Sequence, residues 1–330
     1  MTIKVADIEL KSPVFLAPLA GITDLPFRNL VSEFGAGLVV SEMVASQEMV
    51  QARPSAKVQS RARAELGLDK RNTAVQIAGR EAHWMAECAK ICAGNGARII
   101  DINMGCPAKK VTSGYSGSAL MKDLDHALTL IDAVVGAVDV PVTLKTRLGW
   151  DEDSLNAVEL AQRAEGAGVT MLTIHGRTRS QFFKGRADWG KIAPVVDAVD
   201  IPVIANGDIT DSVSAKTSLA ASKAAGVMVG RGAQGKPWQL AEIAATLNNT
   251  EQPDIPVGEA FCAVVERHYA SILAFYGVET GMKTARKHLG WYMDQFDIPK
   301  SFRREILTST EVNNVNVMIR SLTDFPIRSS

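Results

Sequence analysis

Short apolar runs recur along the first three quarters of the chain. Each is followed by a segment whose apolar residues return every three or four positions. The runs are Val14–Ala17, Leu38–Ser41, Thr73–Ile77, Ile99–Ile102, Val142–Lys145, Met171–Ile174, Val203–Ala205 and Val227–Gly230. All are rich in Val, Ile or Leu and bounded by Gly, Pro or a charge. They read as continuously apolar, which predicts strands buried on both faces of a parallel sheet. Between them, Glu81–Gly94 places Trp84, Cys88 and Cys92 on one helical face, and Asp125–Val138 repeats Leu128, Ile131 and Val135. Ser154–Gly166 opens on Ser154 as an N-cap.

Eight strand–helix units predict an α/β fold, a (β/α)8 TIM barrel. A doubly wound open sheet also alternates, and the count of eight separates the two. The alternation stops near Leu247. Asn248–Gly258 holds two prolines among Asn, Gln and Asp and reads as a linker. Beyond it only helical periodicity remains, over Glu259–Tyr276, Lys283–Gln295 and Glu311–Leu322. The expected organisation is a barrel over 1–247, a linker over 248–258 and a small all-helical domain over 259–330.

Composition narrows this picture slightly. Hydrophobic residues at 46% and charged residues at 22% exclude global disorder. Lys and Arg number 36, and so do Asp and Glu, a balance that first argues against a nucleic-acid binder. Four cysteines make no disulfide scaffold. Cys88 and Cys92, without a nearby His, read as core residues rather than metal ligands, and no metal site is expected. Lys4, Asp7, Glu9 and Lys11 break any signal core, and no apolar run is long enough to span a membrane. The expected compartment is the cytoplasm.

In a barrel of this kind the active site forms at the C-terminal ends of the strands. Those ends carry Pro18-Leu19-Ala20-Gly21, Gln76, Asp101-Ile102-Asn103-Met104-Gly105-Cys106-Pro107, Lys145-Thr146-Arg147, His175-Gly176-Arg177, Asn206-Gly207-Asp208 and Gly230-Arg231-Gly232. Phosphate sites in barrels often use the loops after strands seven and eight, where glycines admit backbone N–H groups and Arg231 adds charge. With a phosphate there, Gln76, Asn103, Lys145 and His175 would face the ligand's ring system. Amide side chains suit the donors and acceptors of a flavin's pyrimidine edge, and a lysine there stabilises a reduced, anionic flavin. Cys106 sits in a loop past strand four, where a thiol can donate a proton or attack as a thiolate.

Taken together, these residues resemble the tRNA-dihydrouridine synthase family, in its bacterial B-type form. The resemblance runs through APLAGITDLPFR (17–28), DINMGCPAKKV (101–111), KTRLGW (145–150), TIHGRT (173–178), IANGDI (204–209), VGRGAQGKPW (229–238) and ARKHLGWY (285–292). Leu19 stands where the family usually has Met. The resemblance implies bound FMN reduced by NADPH, and hydride transfer to C6 of a D-loop uridine in tRNA while Cys106 protonates C5. It maps the cofactor contacts to Pro18, Leu19, Ala20, Gln76, Lys145, Asn206, Gly207, Asp208, Gly230 and Arg231, with Asn103 and His175 as further site residues.

A tRNA substrate needs cations for its phosphates. Candidates are Lys109 and Lys110, Arg177 with Arg179, Lys184 and Arg186, and Lys283, Arg286 and Lys287 in the helical domain. Lys300, Arg303, Arg304 and a basic stretch over 53–71 add to them. The even charge balance then averages over an uneven surface. The chain is expected to act as a monomer. Two other readings are a flavin barrel acting on a free pyrimidine, as in dihydroorotate dehydrogenase-like proteins, and a non-catalytic RNA-binding protein. The first leaves the helical domain and basic clusters without a role; the second leaves Cys106 without one.

Overall fold

Eleven strands and a set of helices follow one another through the computed structural model, which describes residues 2–51 and 72–328. The strands are β1 (Ile3–Val5), β2 (Ile8–Leu10), β3 (Val14–Leu16), β4 (Leu38–Val40), β5 (Val44–Ala45), β6 (Thr73–Ala78), β7 (Ile100–Met104), β8 (Val142–Arg147), β9 (Met171–His175), β10 (Val203–Asn206) and β11 (Gly226–Val229). Eight of them, β3, β4 and β6 to β11, pair in parallel in chain order. The β11–β3 ladder closes the ring. The expected TIM barrel is therefore observed.

Burial separates two sets of side chains on each strand. Val14, Leu16, Val39, Val75, Ile77, Ile100, Ile102, Leu144, Leu172, Ile174 and Val203 pack outward against the helices. Phe15, Leu38, Val40, Ala74, Ile99, Met171, Ile204 and Met228 fill the lower interior. The upper interior positions carry Gln76, Asp101, Asn103, Thr143, Lys145, Asn206 and His175, on β6, β7, β9 and β10 two or four residues beyond the floor residues Ala74, Ile99, Met171 and Ile204. A side-chain period of two therefore places polar groups in a layer above an apolar floor.

The hairpin β1–β2 seals that floor. Ile3 opposes Leu10 and Val5 opposes Ile8 in an antiparallel ladder, and all four are buried with Phe15 and Met228. Sequence reading missed this hairpin and used its charges only to exclude a signal core. Its alternation, buried–exposed–buried in each strand, was the available signal.

The helices Ala82–Gly94, Leu124–Val135 and Ala157–Gly166 stand close to the expected spans. Cys88 and Cys92 are fully buried and pack on Met49, as core residues. Ser154 is not the N-cap of its helix; that position is Asn156, whose amide donates instead to the Met121 carbonyl at 2.7 Å. Its Oδ1, the atom that would cap, makes no hydrogen bond, so the helix starts without a side-chain cap.

After the helix Gln239–Asn248, the next begins at Gly258. Helices Gly258–Tyr276, Val278–Met293, Lys300–Thr308 and Val312–Arg320 share one apolar cluster around Phe261, Val265, Tyr292 and Ile319. Leu30 and Trp238 of the barrel belong to the same cluster. Phe27 meets the rings of His268 and His288 at 5.6 and 5.2 Å between centroids. Gln295 donates to the Gly235 carbonyl at 2.7 Å, which ties these helices to the loop after β11. The helix Lys300–Thr308 was not foreseen because only Ile306 of its nine residues is buried.

Candidate active site

The strand ends converge on one cavity of about 950 Å³ at the C-terminal mouth of the barrel. Its walls include all twelve residues expected to hold the cofactor: Pro18, Leu19, Ala20, Gln76, Asn103, Lys145, His175, Asn206, Gly207, Asp208, Gly230 and Arg231. Cys106 lines it as well. Ile22, Met43, Phe182, Phe183 and Ile209 add apolar surface.

Lys145 is 9% exposed and donates to Asn206 Oδ1 at 3.0 Å, while Asn206 donates in turn to the Met228 carbonyl at 2.8 Å. Burial and then the nearby Arg147 charge pull its ammonium down to about 8, against the attraction of Asp101 and Cys106. A residue read as a strand end is thus a desolvated cation inside the barrel.

Gln76 and Asn103 lie within hydrogen-bond reach of each other. Asn103 Nδ2 donates to Gln76 Oε1 at 2.7 Å, and Gln76 Nε2 donates to Asp101 Oδ2 at 2.7 Å. Asn103 Oδ1 accepts from the N–H groups of Gly105 and Cys106 at 3.3 and 3.0 Å. Both amide oxygens are engaged inside the protein. Asn103 Oδ1 already accepts two bonds, so Asn103 can offer a ligand only N–H, while Gln76 keeps an N–H and one lone pair on Oε1.

Cys106 is half-buried in its loop. Its carbonyl accepts from Ser118 N at 3.1 Å and Ser118 Oγ at 2.9 Å. Arg147, 1% exposed, holds the same loop by donating to the Gly105 carbonyl at 2.7 Å. It also donates to the carbonyls of Thr178 and Phe182, both at 2.9 Å, so one guanidinium joins the loops after β7 and β9. Burial first, then the Arg177 charge, lowers it to about 10, so it stays a cation at neutral pH.

Across the mouth, Arg177 bonds the Lys184 and Gly185 carbonyls and the Asp208 carboxylate. Arg231 reaches the other Asp208 oxygen at 3.4 Å. Burial pushes the Asp208 carboxyl up, but Arg177 and the Ala187 N–H outweigh it and hold the group below its ordinary value. Arg177 Nη1 lies 3.3 Å from His175 Nε2. Guanidinium only donates, so Nε2 accepts and the His175 proton sits on Nδ1. Burial, then Arg147, Lys145, Arg177 and Arg231, keeps this imidazole neutral, well below its usual range. Gly207 is required here: at φ 109° its Cβ would lie 2.9 Å from the His175 ring.

The residues expected to meet RNA divide. Lys109 and Lys110 are exposed on the short helix that follows Cys106, and Lys283 and Arg286 are exposed on Val278–Met293. Lys283 is paired with Glu279 at 2.8 Å. Lys287 is half-buried with its Nζ near Gly21, in the field of Asp24 and Glu42. Arg177 is 2% exposed and lies inside the cavity wall, a placement that removes it from any surface track. The basic stretch over 53–71 lies outside the described residues. Residue types alone did not single out Asp101, Thr143, Arg147, Phe182 or Phe183; strand-end position was the signal for Asp101 and Arg147, while Thr143 lies near the start of β8.

Among the described residues no cluster of His, Cys, Asp or Glu could hold a metal ion. No helix among them is long and apolar enough to cross a membrane.

Comparison with known proteins gives concordant results. The family model described as "Dihydrouridine synthase (Dus)" matches residues 15–324. A Rhodobacter capsulatus protein named "Probable tRNA-dihydrouridine synthase" is 60% identical over 321 residues, covering 97% of this chain and 98% of that one. The "tRNA-dihydrouridine synthase B" of Proteus vulgaris is 45% identical over 302 residues, covering 91% and 92%. Among solved structures, morphinone reductase in complex with tetrahydroNAD is similar in fold, with a TM-score of 0.56 at 14% identity. It covers 79% of this chain and 93% of that one.

Proposed function

This chain belongs to the dihydrouridine synthase family, and from that premise we propose that it reduces the C5=C6 bond of a D-loop uridine in tRNA. We propose FMN as its bound cofactor, NADPH as the electron source, Cys106 as the proton donor and the cytoplasm as its compartment. The observation that carries this reading is Cys106 in the same cavity as a buried Lys145 and three guanidinium groups.

The cavity suits FMN. Its volume of about 950 Å³ lies at the upper end of the roughly 300–1,000 Å³ of small-molecule sites, so a cofactor and a base can share it. The apolar walls suit a planar ring. Lys145 and the N–H groups of Gln76 and Asn103 suit its carbonyl edge. Arg231, beside Gly230 and Gly207, suits the phosphate, where Asp208 holds the guanidinium. When bound and reduced, FMN supplies the hydride that goes to C6.

Everything else falls to the protein. Cys106 gives its proton to C5, and the thiolate left behind lies in the field of Lys145 and Arg147. Both charges favour proton loss at the moment of transfer. Neutral His175 adds no competing acid. The mouth admits a base only after it leaves its stack, and a loop base in RNA leaves more readily than one in a duplex. Exposed Lys109, Lys110, Lys283 and Arg286 are proposed phosphate contacts, with residues 259–330 as the tRNA-binding domain.

The test incubates purified protein, FMN and NADPH with unmodified tRNA transcript and maps dihydrouridine. The expected result is one D-loop uridine reduced, and Cys106→Ala retaining FMN while losing turnover by about 10²–10⁴-fold. Conversion of a free pyrimidine instead of tRNA would favour the free-pyrimidine reading. Unchanged product from Cys106→Ala would overturn the acid role.

A further inference from the structure

Asp101 is buried at the level of the polar layer, 4% exposed, and both its oxygens are engaged. Oδ1 accepts from Thr143 Oγ1 at 2.6 Å and Oδ2 from Gln76 Nε2 at 2.7 Å. Burial pushes the Asp101 carboxyl up, against the pull of the Gln76 and Thr143 hydrogen bonds and the Lys145 charge. Toward Gln76 its Oδ2 accepts, so the Gln76 amide must turn its NH₂ toward Asp101 and its oxygen away. That oxygen accepts from Asn103 Nδ2, which turns Asn103 Oδ1 onto the backbone N–H groups of Gly105 and Cys106. Reversing either amide would set donor against donor or acceptor against acceptor in a buried place.

We infer that Asp101 is a positioning residue, whose carboxylate sets the direction of an amide chain, Asp101–Gln76–Asn103, that ends on the Cys106 backbone. The same direction leaves the second N–H of each amide on residues that line the cavity, as donors toward a ligand carbonyl. Thr143 is part of the device because its hydroxyl occupies the other Asp101 oxygen. The functional meaning rests on the reading of Cys106 as proton donor; the chain itself does not.

The chain can be run in reverse. Asn103→Asp keeps an acceptor for the Cys106 N–H but places the Gln76 amide between two carboxylates. Adding Asp101→Asn restores a single carboxylate and lets Gln76 turn round, with its NH₂ toward position 103 and its oxygen toward the new amide.

The readout is the labelling rate of Cys106 by a thiol reagent in flavin-free protein. The other cysteines, Cys88, Cys92 and Cys262, are buried. Asn103→Asp is expected to change that rate by about tenfold, the order of one lost buried hydrogen bond. The double variant should return to within about twofold of wild type, since coupled sites do not add.

Additive defects in the double variant would overturn the proposal. If Asn103→Asp does not fold, Asp101→Leu removes the anchor alone and should change Cys106 labelling; an unchanged rate would refute the chain. A wild-type protein that makes no dihydrouridine would remove the functional reading and leave the labelling result standing.

Discussion

Gly117→Ala is the substitution that most directly tests whether the Cys106 loop must be held where it is. Gly117 has φ 61°, and a Cβ there would lie 2.8 Å from the Cys106 carbonyl oxygen and 2.9 Å from Val111 Cγ1. Ordinary contact begins at 3.4 Å, so the carbonyl must retreat by about 0.6 Å unless the new methyl group moves instead. Retreat stretches the two bonds from Ser118, at 3.1 and 2.9 Å. The left-handed backbone adds about 1–2 kcal/mol of strain for any residue with a Cβ. Misplacing a reacting group by 1 Å can cost about 10²-fold in rate, so the shift should lower kcat by about 10- to 100-fold. FMN content should not change, because Gly117 is not in the cavity wall. Tm should fall by about 2–6 °C on the usual scaling. The assay is single-turnover dihydrouridine formation at matched flavin content, with Gly114→Ala as control. At Gly114 the nearest atom to a Cβ is 3.5 Å away and φ is not positive. Wild-type kcat in Gly117→Ala alongside a lowered Tm would refute the claim that this loop positions the proton donor.

Two further predictions concern the C-terminal helices. His268 and His288 are each 2% exposed, and His268 Nδ1 bonds Tyr292 Oη at 2.9 Å. Burial pulls His268 down to about 3 and His288 well below its usual value. Below pH 6.5 the unfolded chain binds protons that the folded one refuses, so stability falls as pH drops from 6.5 toward 3. At pH 5 that amounts to about 2 kcal/mol for His268, and His288 shifts stability in the same direction. Urea unfolding at pH 8 and pH 5 should show a larger pH difference in wild type than in His288→Gln, and equal differences would contradict this. On the outer face, Lys283→Ala with Arg286→Ala should weaken tRNA binding and reduce the salt slope by about 1 for each phosphate contact removed. Arg286 should dominate, because Lys283 is already paired with Glu279. A salt slope identical to wild type would return both residues to ordinary solvated surface.

Much of the barrel was readable along the chain, because its strands and helices repeat with periods that apolar residues mark. The site was readable as residue types: a barrel of this kind gathers its strand ends in one place, so Gln76, Cys106, Lys145, His175 and Arg231 could be set together before any coordinate was known. Short or polar elements escaped. The strands of β1–β2 have three residues each, and Lys300–Thr308 buries only Ile306, so neither leaves a long periodic trace. Arg177 could not be placed from its neighbours in sequence. Its burial depends on Asp208, 31 residues away, and on the fold of the 176–189 loop.

Local order along the chain settles which side chains arrive at the mouth, since strand period and loop position are properties of neighbouring residues. How they act there depends on partners far apart in sequence. Asp101 meets Thr143 across 42 residues, and Lys145 meets Asn206 across 61. Closing the ring desolvates Lys145, points the Gln76 and Asn103 amides one way and joins two loops through Arg147. Hydrogen-bond direction and desolvation arise between strands, and no periodicity within one strand encodes them.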